Sequence, residues 1–218
     1  MRNILCFGDS NTWGYDPAAT ATSPLPVRYA PEVRWTGVLA KELGVGFRVI
    51  EEGQNGRTTV HDDPTAWACR NGRVYLPACL ESHKPLDLVV LMLGTNDLKS
   101  MFSVAAGEIA AGAGILLRTI LQSDTGPDFK APKTLLVCPP AIGDLSRLPE
   151  LAAKLVGARE KSLKLPAYFD AVAKQYGSAY FNSQEVVVPS EVDGIHLNAR
   201  DHLALGRALA AKVKTLLS

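Results

Sequence analysis

The chain has 218 residues, of which 47% are hydrophobic, and a formal net charge of +1. This composition allows a large buried core, so we expect a single domain over residues 1–218. The near-neutral charge argues against nucleic acid or an anionic membrane as the main partner. No apolar run approaches the roughly 18 residues of a membrane helix. Because the N-terminus enters a predicted strand directly, we also expect a cytoplasmic protein.

The first predicted strand is the apolar run Ile4–Phe7, which is typical of a strand buried on both faces. The turn residues Gly8 and Asp9 end it, so Ser10 lies just past its carboxyl end. Ligands bind at that edge of open parallel sheets, where a hydroxyl can act as a nucleophile if a base is near. The alternative interpretation is a serine that caps a turn or a helix.

Strands and helices alternate along the rest of the chain. Apolar runs predict further strands at Phe47–Ile50, Leu86–Leu93, Thr134–Cys138 and Ala179–Phe181. Apolar residues at helical spacing predict helices at Trp35–Leu43, Val74–His83, Ser103–Leu121, Leu163–Tyr176 and after Asn198. This alternation predicts an α/β fold, a three-layer α/β/α sandwich around a parallel sheet of about five strands. Long loops are expected at about 13–31 and 60–80.

The cysteines and one polar run are the candidate metal ligands of the sequence. The four cysteines, Cys6, Cys69, Cys79 and Cys138, form no CxxC motif, which argues against a zinc site. A Cys69–Cys79 disulfide stays open as an alternative to two free thiols, which suit the expected compartment. The run His61-Asp62-Asp63 superficially resembles a metal cluster, but adjacent polar loop residues are more often solvated. We therefore expect no metal.

Polar clusters also follow two later strands and precede the last helix. Asn55-Gly56-Arg57-Thr58 follows the second strand, and Gly94-Thr95-Asn96-Asp97 follows the third. In Asp193-Gly194-Ile195-His196, the spacing lets the carboxylate accept from imidazole Nδ1–H and leaves Nε2 free as a base. An Asp-Gly turn with an incidental histidine is the alternative. Together with Ser10, these clusters supply the groups that acyl transfer needs.

These blocks resemble, in the same order, those of the SGNH or GDSL-type hydrolases, which have a flavodoxin-like fold. The resemblance implies that Ser10 is the nucleophile and that Asp193 and His196 complete a catalytic triad. It further implies an oxyanion hole formed by the backbone N–H groups of Ser10 and Gly56 and the side-chain amide of Asn96. The chain departs from the family at Asn11, where leucine is usual, and this concerns the lining of the acyl pocket rather than the chemistry.

Within that family, the chain is most similar to the bacterial arylesterase/acyltransferases, or perhydrolases. The resemblance implies a serine esterase for short-chain, acetyl-type esters that needs no cofactor and transfers the acyl group to water, alcohols or peroxide. Its partners would be a small-molecule ester, an acyl acceptor and further copies of the chain in a large homo-oligomer such as an octamer. Segment 141–161 is an intervening helical insert. The implied substrate-binding residues are Asn11, Thr12, Trp13, Asn55, Thr95, Lys99 and Ile195.

Two other classes of protein remain open at this point. A metal-dependent phosphatase of the dehalogenase type also places an aspartate after its first strand, as Asp9 is here. That chemistry needs a second aspartate two residues later, where this chain has Asn11. The other class is a non-catalytic ligand-binding or assembly protein on the same fold, which inactivity toward simple aryl esters would favour.

Overall fold

A parallel five-stranded sheet forms the centre of the protein, in the order β2-β1-β3-β4-β5. We describe it from a computed structural model, which covers residues 1–146 and 148–218. The strands are β1 (Arg2–Gly8), β2 (Phe47–Gly53), β3 (Leu88–Met92), β4 (Lys133–Cys138) and β5 (Ala179–Asn182). The predicted α/β fold with about five parallel strands is confirmed.

Helices cover both faces of this sheet. The described residues form α1 (Ser10–Trp13), α2 (Pro17–Thr20), α3 (Trp35–Leu43), α4 (Gly72–His83), α5 (Ala106–Leu121), α6 (Pro149–Lys154), α7 (Ala158–Ser162), α8 (Leu165–Tyr176) and α9 (Ala199–Leu217). Helices α3 and α9 pack on one face, and α4, α5 and α8 on the other. Segments 13–31 and 60–80, expected as loops, include α2 and the start of α4. Within the described ranges, none of the helices combines the length and apolarity that crossing a bilayer requires.

The alternation of side chains along β1 explains the two apolar layers. Leu5 and Phe7 face α4, α5 and α8, whereas Ile4 and Cys6 face α3 and α9. All four side chains are fully buried, because a parallel strand between two helix layers has no exposed face. All four cysteines of the chain are free, so a Cys69–Cys79 disulfide is not formed.

The sheet register brings the ends of three strands to one edge. Gly8 at the end of β1 pairs with Gly53 of β2 on one side and Met92 of β3 on the other. The chain leaves β1 in one direction to form β2 and returns past β1 to form β3. In open α/β sheets, ligands bind in the crevice outside such a reversal point. The segments after β1, β2 and β3 therefore meet where a binding site is expected.

Candidate active site

Ser10 begins the short helix α1, directly after the turn that ends β1. Asp9 caps this helix, because its Oδ1 accepts a hydrogen bond from the Asn11 backbone N–H at 3.0 Å. Gly14, with φ of 89°, ends the helix one turn later. The capping role thus falls to Asp9, so the interpretation of Ser10 as a cap is wrong. Ser10 is free to present its hydroxyl to the cavity described below.

The loop Asp193–His196 faces Ser10 from the segment before α9. Asp193 Oδ1 accepts from the backbone N–H groups of Ile195 and His196, at 3.0 and 2.9 Å. Asp193 Oδ2 lies 2.6 Å from His196 Nδ1, and His196 Nε2 lies 2.8 Å from Ser10 Oγ. Burial would raise the pKa of Asp193, but its hydrogen bonds and the charge of His196 hold that pKa below the usual value. A continuous chain of hydrogen bonds therefore joins the carboxylate, the imidazole and the hydroxyl.

Tyr15 fixes the imidazole from the side. Its ring stacks on His196 with 3.9 Å between ring centroids and an interplanar angle of 22°. The Tyr15 backbone N–H donates to the Ser10 carbonyl at 3.0 Å, so the stacking ring is tied to the helix that carries Ser10. This contact limits rotation of the imidazole away from the hydroxyl. Tyr15 was not among the residues predicted for the site.

Asn11 joins α1 to the loop of His196 instead of lining a pocket. Its Oδ1 accepts from the Leu197 N–H at 3.0 Å, and its Nδ2 donates to the Ile195 carbonyl at 3.4 Å. Asn11 and Thr12 are buried, and neither they nor Trp13 line the cavity. The Trp13 ring instead contacts the Arg28 guanidinium at 5.2 Å. The expectation that these three residues bind substrate is therefore corrected.

The turn Gln54–Arg57 places Gly56 beside the other end of the cavity. The Arg57 N–H donates to the Gln54 carbonyl at 3.1 Å, and Gly56 has φ of 81° at the third turn position. A type II turn needs a left-handed residue there, which favours glycine. The Asn96 side-chain amide donates to the Arg57 carbonyl at 3.1 Å. Ser10, Gly56 and Asn96 thus line one cavity.

A buried arginine fixes this turn to the sheet. The Arg57 guanidinium donates to the Gly8 carbonyl at 2.9 Å and to the Glu52 carbonyl, so it joins the ends of β1 and β2. It also lies over the Phe7 ring, 4.2 Å from the centroid. Burial lowers the pKa of Arg57, while the charge of Glu52 opposes that shift. The turn is therefore held by contacts that do not depend on substrate.

A buried aspartate fixes the segment after this turn. Asp97 accepts from the Thr59 backbone N–H at 3.0 Å and from the Thr59 hydroxyl at 2.5 Å. Burial raises the pKa of Asp97, and both hydrogen bonds from Thr59 oppose that shift. Since Asp97 directly follows Asn96, these bonds also fix the position of the Asn96 backbone relative to the turn.

Asp9 is a second carboxyl group close to the Ser10–His196 pair. It is 1% exposed, and burial raises its pKa to about 6. The hydrogen bond from Asn11 and the charge of His196 oppose this rise in pKa. A folded pKa above the unfolded value of about 3.9 means that folding takes up a proton between these values. Stability is therefore lost as the pH rises through about 4–6.

We expect Asp9→Asn to remove this pH dependence, because the amide oxygen still caps α1 but carries no charge. Between pH 4.5 and 7.5, the free energy of unfolding should fall by about 2 kcal/mol more in the wild type than in the variant. Urea denaturation at both pH values measures this difference. Asp16→Asn is the matched control, since Asp16 caps α2 by the same kind of bond at a more exposed position. Equal pH dependence in wild type and Asp9→Asn would contradict the prediction.

A cavity of about 210 Å³ opens beside Ser10 and His196. Of the residues expected to bind substrate, Asn55, Thr95, Lys99 and Ile195 line it. Sequence analysis missed other lining residues, which are Tyr15, Leu151, Lys154 and Leu155. Three of these belong to α6 and the residue after it, within segment 141–161.

Hydrogen bonds attach that segment to its neighbours in the fold. The Gly143 N–H donates to the Gly194 carbonyl at 2.7 Å, next to Asp193. The Ser100 hydroxyl donates to the Lys154 carbonyl at 3.0 Å, at the end of α6. The Ile142 N–H donates to the hydroxyl of Ser162 at 2.9 Å. These bonds place the apolar side chains of α6 as one wall of the cavity.

The run His61-Asp62-Asp63 does not converge on one point. Asp62 accepts from the Asn71 amide at 3.0 Å, and Asp63 accepts from Lys99 Nζ at 2.9 Å. A hydrogen bond from Thr65 and the bond from Lys99 lower the pKa of Asp63 to about 2. Lys99, which lines the cavity, is thereby held by a carboxylate.

The profile of the GDSL-like lipase/acylhydrolase family matches residues 6–203. The chain belongs to this family. As a GDSL-like acylhydrolase, it is a carboxylic ester hydrolase, which argues against the phosphatase and non-catalytic alternatives. Comparison with curated proteins finds no significant match.

Solved structures support the same assignment. The chain is 43% identical to Est24, a carbohydrate acetylesterase from Sinorhizobium meliloti, covering 99% of this chain and 100% of that one with a TM-score of 0.93. It is 42% identical to an aryl esterase of M. smegmatis, with the same coverage and TM-score. A G-D-S-L family protein from Veillonella parvula, at 15% identity and a TM-score of 0.68 over 99% of both chains, shares the fold alone.

Proposed function

We propose that this acylhydrolase is a serine esterase that cleaves short-chain acyl esters through an acyl-enzyme on Ser10. The observation that carries the proposal is the hydrogen-bonded chain Ser10–His196–Asp193. Its two distances, 2.8 Å from Ser10 Oγ to His196 Nε2 and 2.6 Å from His196 Nδ1 to Asp193 Oδ2, are those of a nucleophile, a base and an orienting carboxylate.

In the first step, His196 Nε2 takes the Ser10 proton as Oγ attacks the ester carbonyl carbon. Asp193 keeps the proton on Nδ1 and stabilises the imidazolium that forms. The leaving alcohol receives the proton from Nε2 as the C–O bond breaks. In the second step, water or another acceptor gives its proton to His196 Nε2 and attacks the acyl carbon. The bond from that carbon to Ser10 Oγ then breaks, Nε2 returns the proton to Oγ, and the acid or a new ester is released.

The negative charge of the tetrahedral intermediate needs donors near Ser10. We assign this role to the backbone N–H groups of Ser10 and Gly56 and to the Asn96 amide, because these three residues line the cavity. The rigid setting supports the assignment, because Arg57 and Asp97 hold these groups before substrate arrives. Donors fixed in advance need no reorganisation as charge develops.

We expect Asn96→Ala to lower kcat by about 10²–10³-fold with little change in KM, because the donor acts mainly on the developing oxyanion. Steady-state hydrolysis of an aryl acetate measures both constants. Asn3→Ala, whose amide lies at the opposite end of β1 and donates to the Pro85 carbonyl, is the control. A large rise in KM with kcat intact would show that Asn96 binds the ground-state substrate instead.

The cavity supports a short acyl group as the substrate class. Its volume is about 210 Å³, and Leu151, Leu155 and Ile195 give it an apolar wall. The similar structures are described as a carbohydrate acetylesterase and an aryl esterase. Acetyl esters of phenols and of sugars are therefore the first substrates to assay.

Mass spectrometry after treatment with a fluorophosphonate tests the nucleophile directly. We expect a single adduct on the peptide that contains Ser10, accompanied by loss of esterase activity. Ser10→Ala should carry no adduct under the same conditions. An adduct on another serine, or inactivation without an adduct, would overturn the assignment of Ser10.

Exposed aromatic side chains support acyl transfer to alcohols as a second activity. In segment 60–80, Trp67 is 94% exposed and Tyr75 is 41% exposed. We propose that a homo-oligomer covers such residues and narrows the way into the cavity. A narrow apolar entrance disfavours bulk water as the acceptor.

We expect a primary alcohol at millimolar concentration in water to receive a share of acyl groups far above its mole fraction. An acyl-enzyme partitions by local concentration and orientation of the acceptor, and not by bulk abundance alone. The measurement is the ratio of ester formed to acid released from a vinyl or aryl acetate. If the share of ester is no greater than the mole fraction of alcohol, the protein is an esterase without a preference for transfer to alcohols. If the dissociated protein still hydrolyses the ester but no longer transfers the acyl group to alcohol, the preference for alcohol depends on contacts between subunits.

A further inference from the structure

A second cluster of reactive side chains lies between α4 and the edge strand β2. Tyr75, Cys79 and His83 follow one another at four-residue spacing on α4, so they share one face of that helix. Glu52 near the end of β2 faces them. Its Oε1 lies 2.8 Å from His83 Nε2, and its Oε2 accepts from the Tyr75 hydroxyl at 3.2 Å.

We propose that Glu52, Cys79 and His83 form a zinc site that joins α4 to β2. Each residue offers one ligand atom, and these three atoms all lie within 4.8 Å of one another. A thiolate, an imidazole and a carboxylate are the ligand types that zinc takes, usually with four ligands in a tetrahedron. Water would supply the fourth ligand.

Two features of the surroundings favour a metal site over a hydrogen-bonded pair of Glu52 and His83 alone. The Tyr75 hydroxyl holds one oxygen of Glu52, which is the second-layer contact that orients metal-binding carboxylates. The Cys79 side chain is buried, while Glu52 and His83 have side chains 19% and 25% exposed. An ion can therefore enter from solvent on the side of Glu52 and His83 and reach a protected sulfur.

The charges of the cluster allow a divalent cation despite a nearby guanidinium. Arg57 lies over the Tyr75 ring, 5.2 Å from its centroid, and Glu52 partly offsets its charge. When zinc binds, Cys79 loses its thiol proton to solvent, so one thiolate and one carboxylate balance the two positive charges of the ion. His83 Nε2 and Glu52 Oε1, which are 2.8 Å apart, exchange the hydrogen bond between them for bonds to the ion, and the imidazole keeps its proton on Nδ1.

This site is separate from the cavity of Ser10, because Glu52, Cys79 and His83 do not line that cavity. Absence of a CxxC motif does not exclude it, since one ligand comes from the neighbouring strand. The signal in the sequence is Cys79 and His83 four positions apart on a predicted helix. Many helices that bind no metal share that spacing. In α4, the position of Glu52 on the neighbouring strand adds the third ligand.

Zinc titration of the full chain tests the proposal, after chelator treatment and gel filtration. We expect calorimetry and elemental analysis to find one zinc per chain in the wild type, and zinc to raise its melting temperature. Cys79→Ser and His83→Gln should each weaken binding by about 100-fold or more, since loss even of an outer contact costs about 10–100-fold. Tyr75→Phe should weaken it by about 10-fold.

Cys69→Ser is the matched control, because Cys69 is the exposed free cysteine of the chain. It should bind zinc as the wild type does. Retained esterase activity in the Cys79→Ser and His83→Gln variants would show that they are folded, and Cys79→Ala replaces Cys79→Ser if activity is lost. The proposal is overturned if wild-type protein binds no zinc, if Cys79→Ser binds it equally well, or if only replacement of His196 abolishes binding.

Discussion

Ser10→Ala is expected to lower kcat for an aryl acetate by about 10⁶-fold, the size found when a member of a serine triad is removed. His196→Ala should cost about the same, because in the proposed mechanism the hydroxyl and the imidazole, 2.8 Å apart, perform one proton transfer together. The double variant should then be no slower than either single variant. Residual activity above the uncatalysed rate would come from the oxyanion donors and substrate binding.

Hydrolysis rates at saturating substrate, with melting temperatures for each variant, check this result. Ser82→Ala is the control, since Ser82 lies at an exposed position of α4 and its hydroxyl donates to the Ala78 carbonyl of the same helix. A kcat within tenfold of wild type in Ser10→Ala or His196→Ala would overturn the proposed mechanism. Additive losses in the double variant would mean that the two residues act in different steps.

Asp193→Asn should lower kcat by about 10⁴-fold while leaving the loop folded. Asp193 Oδ1 accepts two backbone N–H groups, so the carbonyl oxygen of an asparagine must take that position. In the wild type, Asp193 Oδ2 lies 2.6 Å from His196 Nδ1. In the variant, the NH₂ group of the asparagine takes the place of Oδ2 and faces Nδ1. A donor at this position forces the proton onto Nε2, and Nε2 can no longer accept the Ser10 proton.

The rate of hydrolysis as a function of pH and the melting temperature separate this effect from unfolding. Glu191→Gln, at an exposed position in the same loop, is the control for removing one carboxylate. We expect its kcat to stay within about twofold of wild type, as for a surface substitution away from the site. A loss of less than tenfold in Asp193→Asn would show that His196 does not depend on Asp193 for its tautomer.

The sequence was enough to predict the sheet and the loops that meet at its edge. Apolar runs such as Ile4–Phe7 mark buried parallel strands, and parallel strands present their carboxyl ends on the same side. Short polar blocks after these strands, with Ser10 and Asn96, therefore had to lie near one another. The Asp193–His196 spacing is local, so its hydrogen bond was also predictable.

The wall of the cavity could not be predicted in the same way. Helix α6 has six residues, which is too short to show a repeating apolar face. Leu151 and Leu155 reach the cavity because hydrogen bonds to Gly194 and Ser100 place their segment there, and such bonds leave no local pattern.

Asn11 was misassigned for a related reason. A polar residue beside the nucleophile was expected to face substrate. Its partners, Ile195 and Leu197, lie 184 and 186 positions along the chain. A contact over that separation depends on the whole fold, so only the structure could show that Asn11 is a support.

Under the proposed function, the attachment of α6 separates substrate choice from bond cleavage, with a consequence for how this enzyme can diversify. Leu151, Lys154 and Leu155 line the cavity but take no part in proton transfer, while Gly143 and Ser162 hold the ends of their segment. Positions 151, 154 and 155 can therefore accumulate substitutions that enlarge or recharge the pocket without displacing the reacting atoms. A combinatorial library at these three positions should yield enzymes with new chain-length preferences from one unchanged catalytic core.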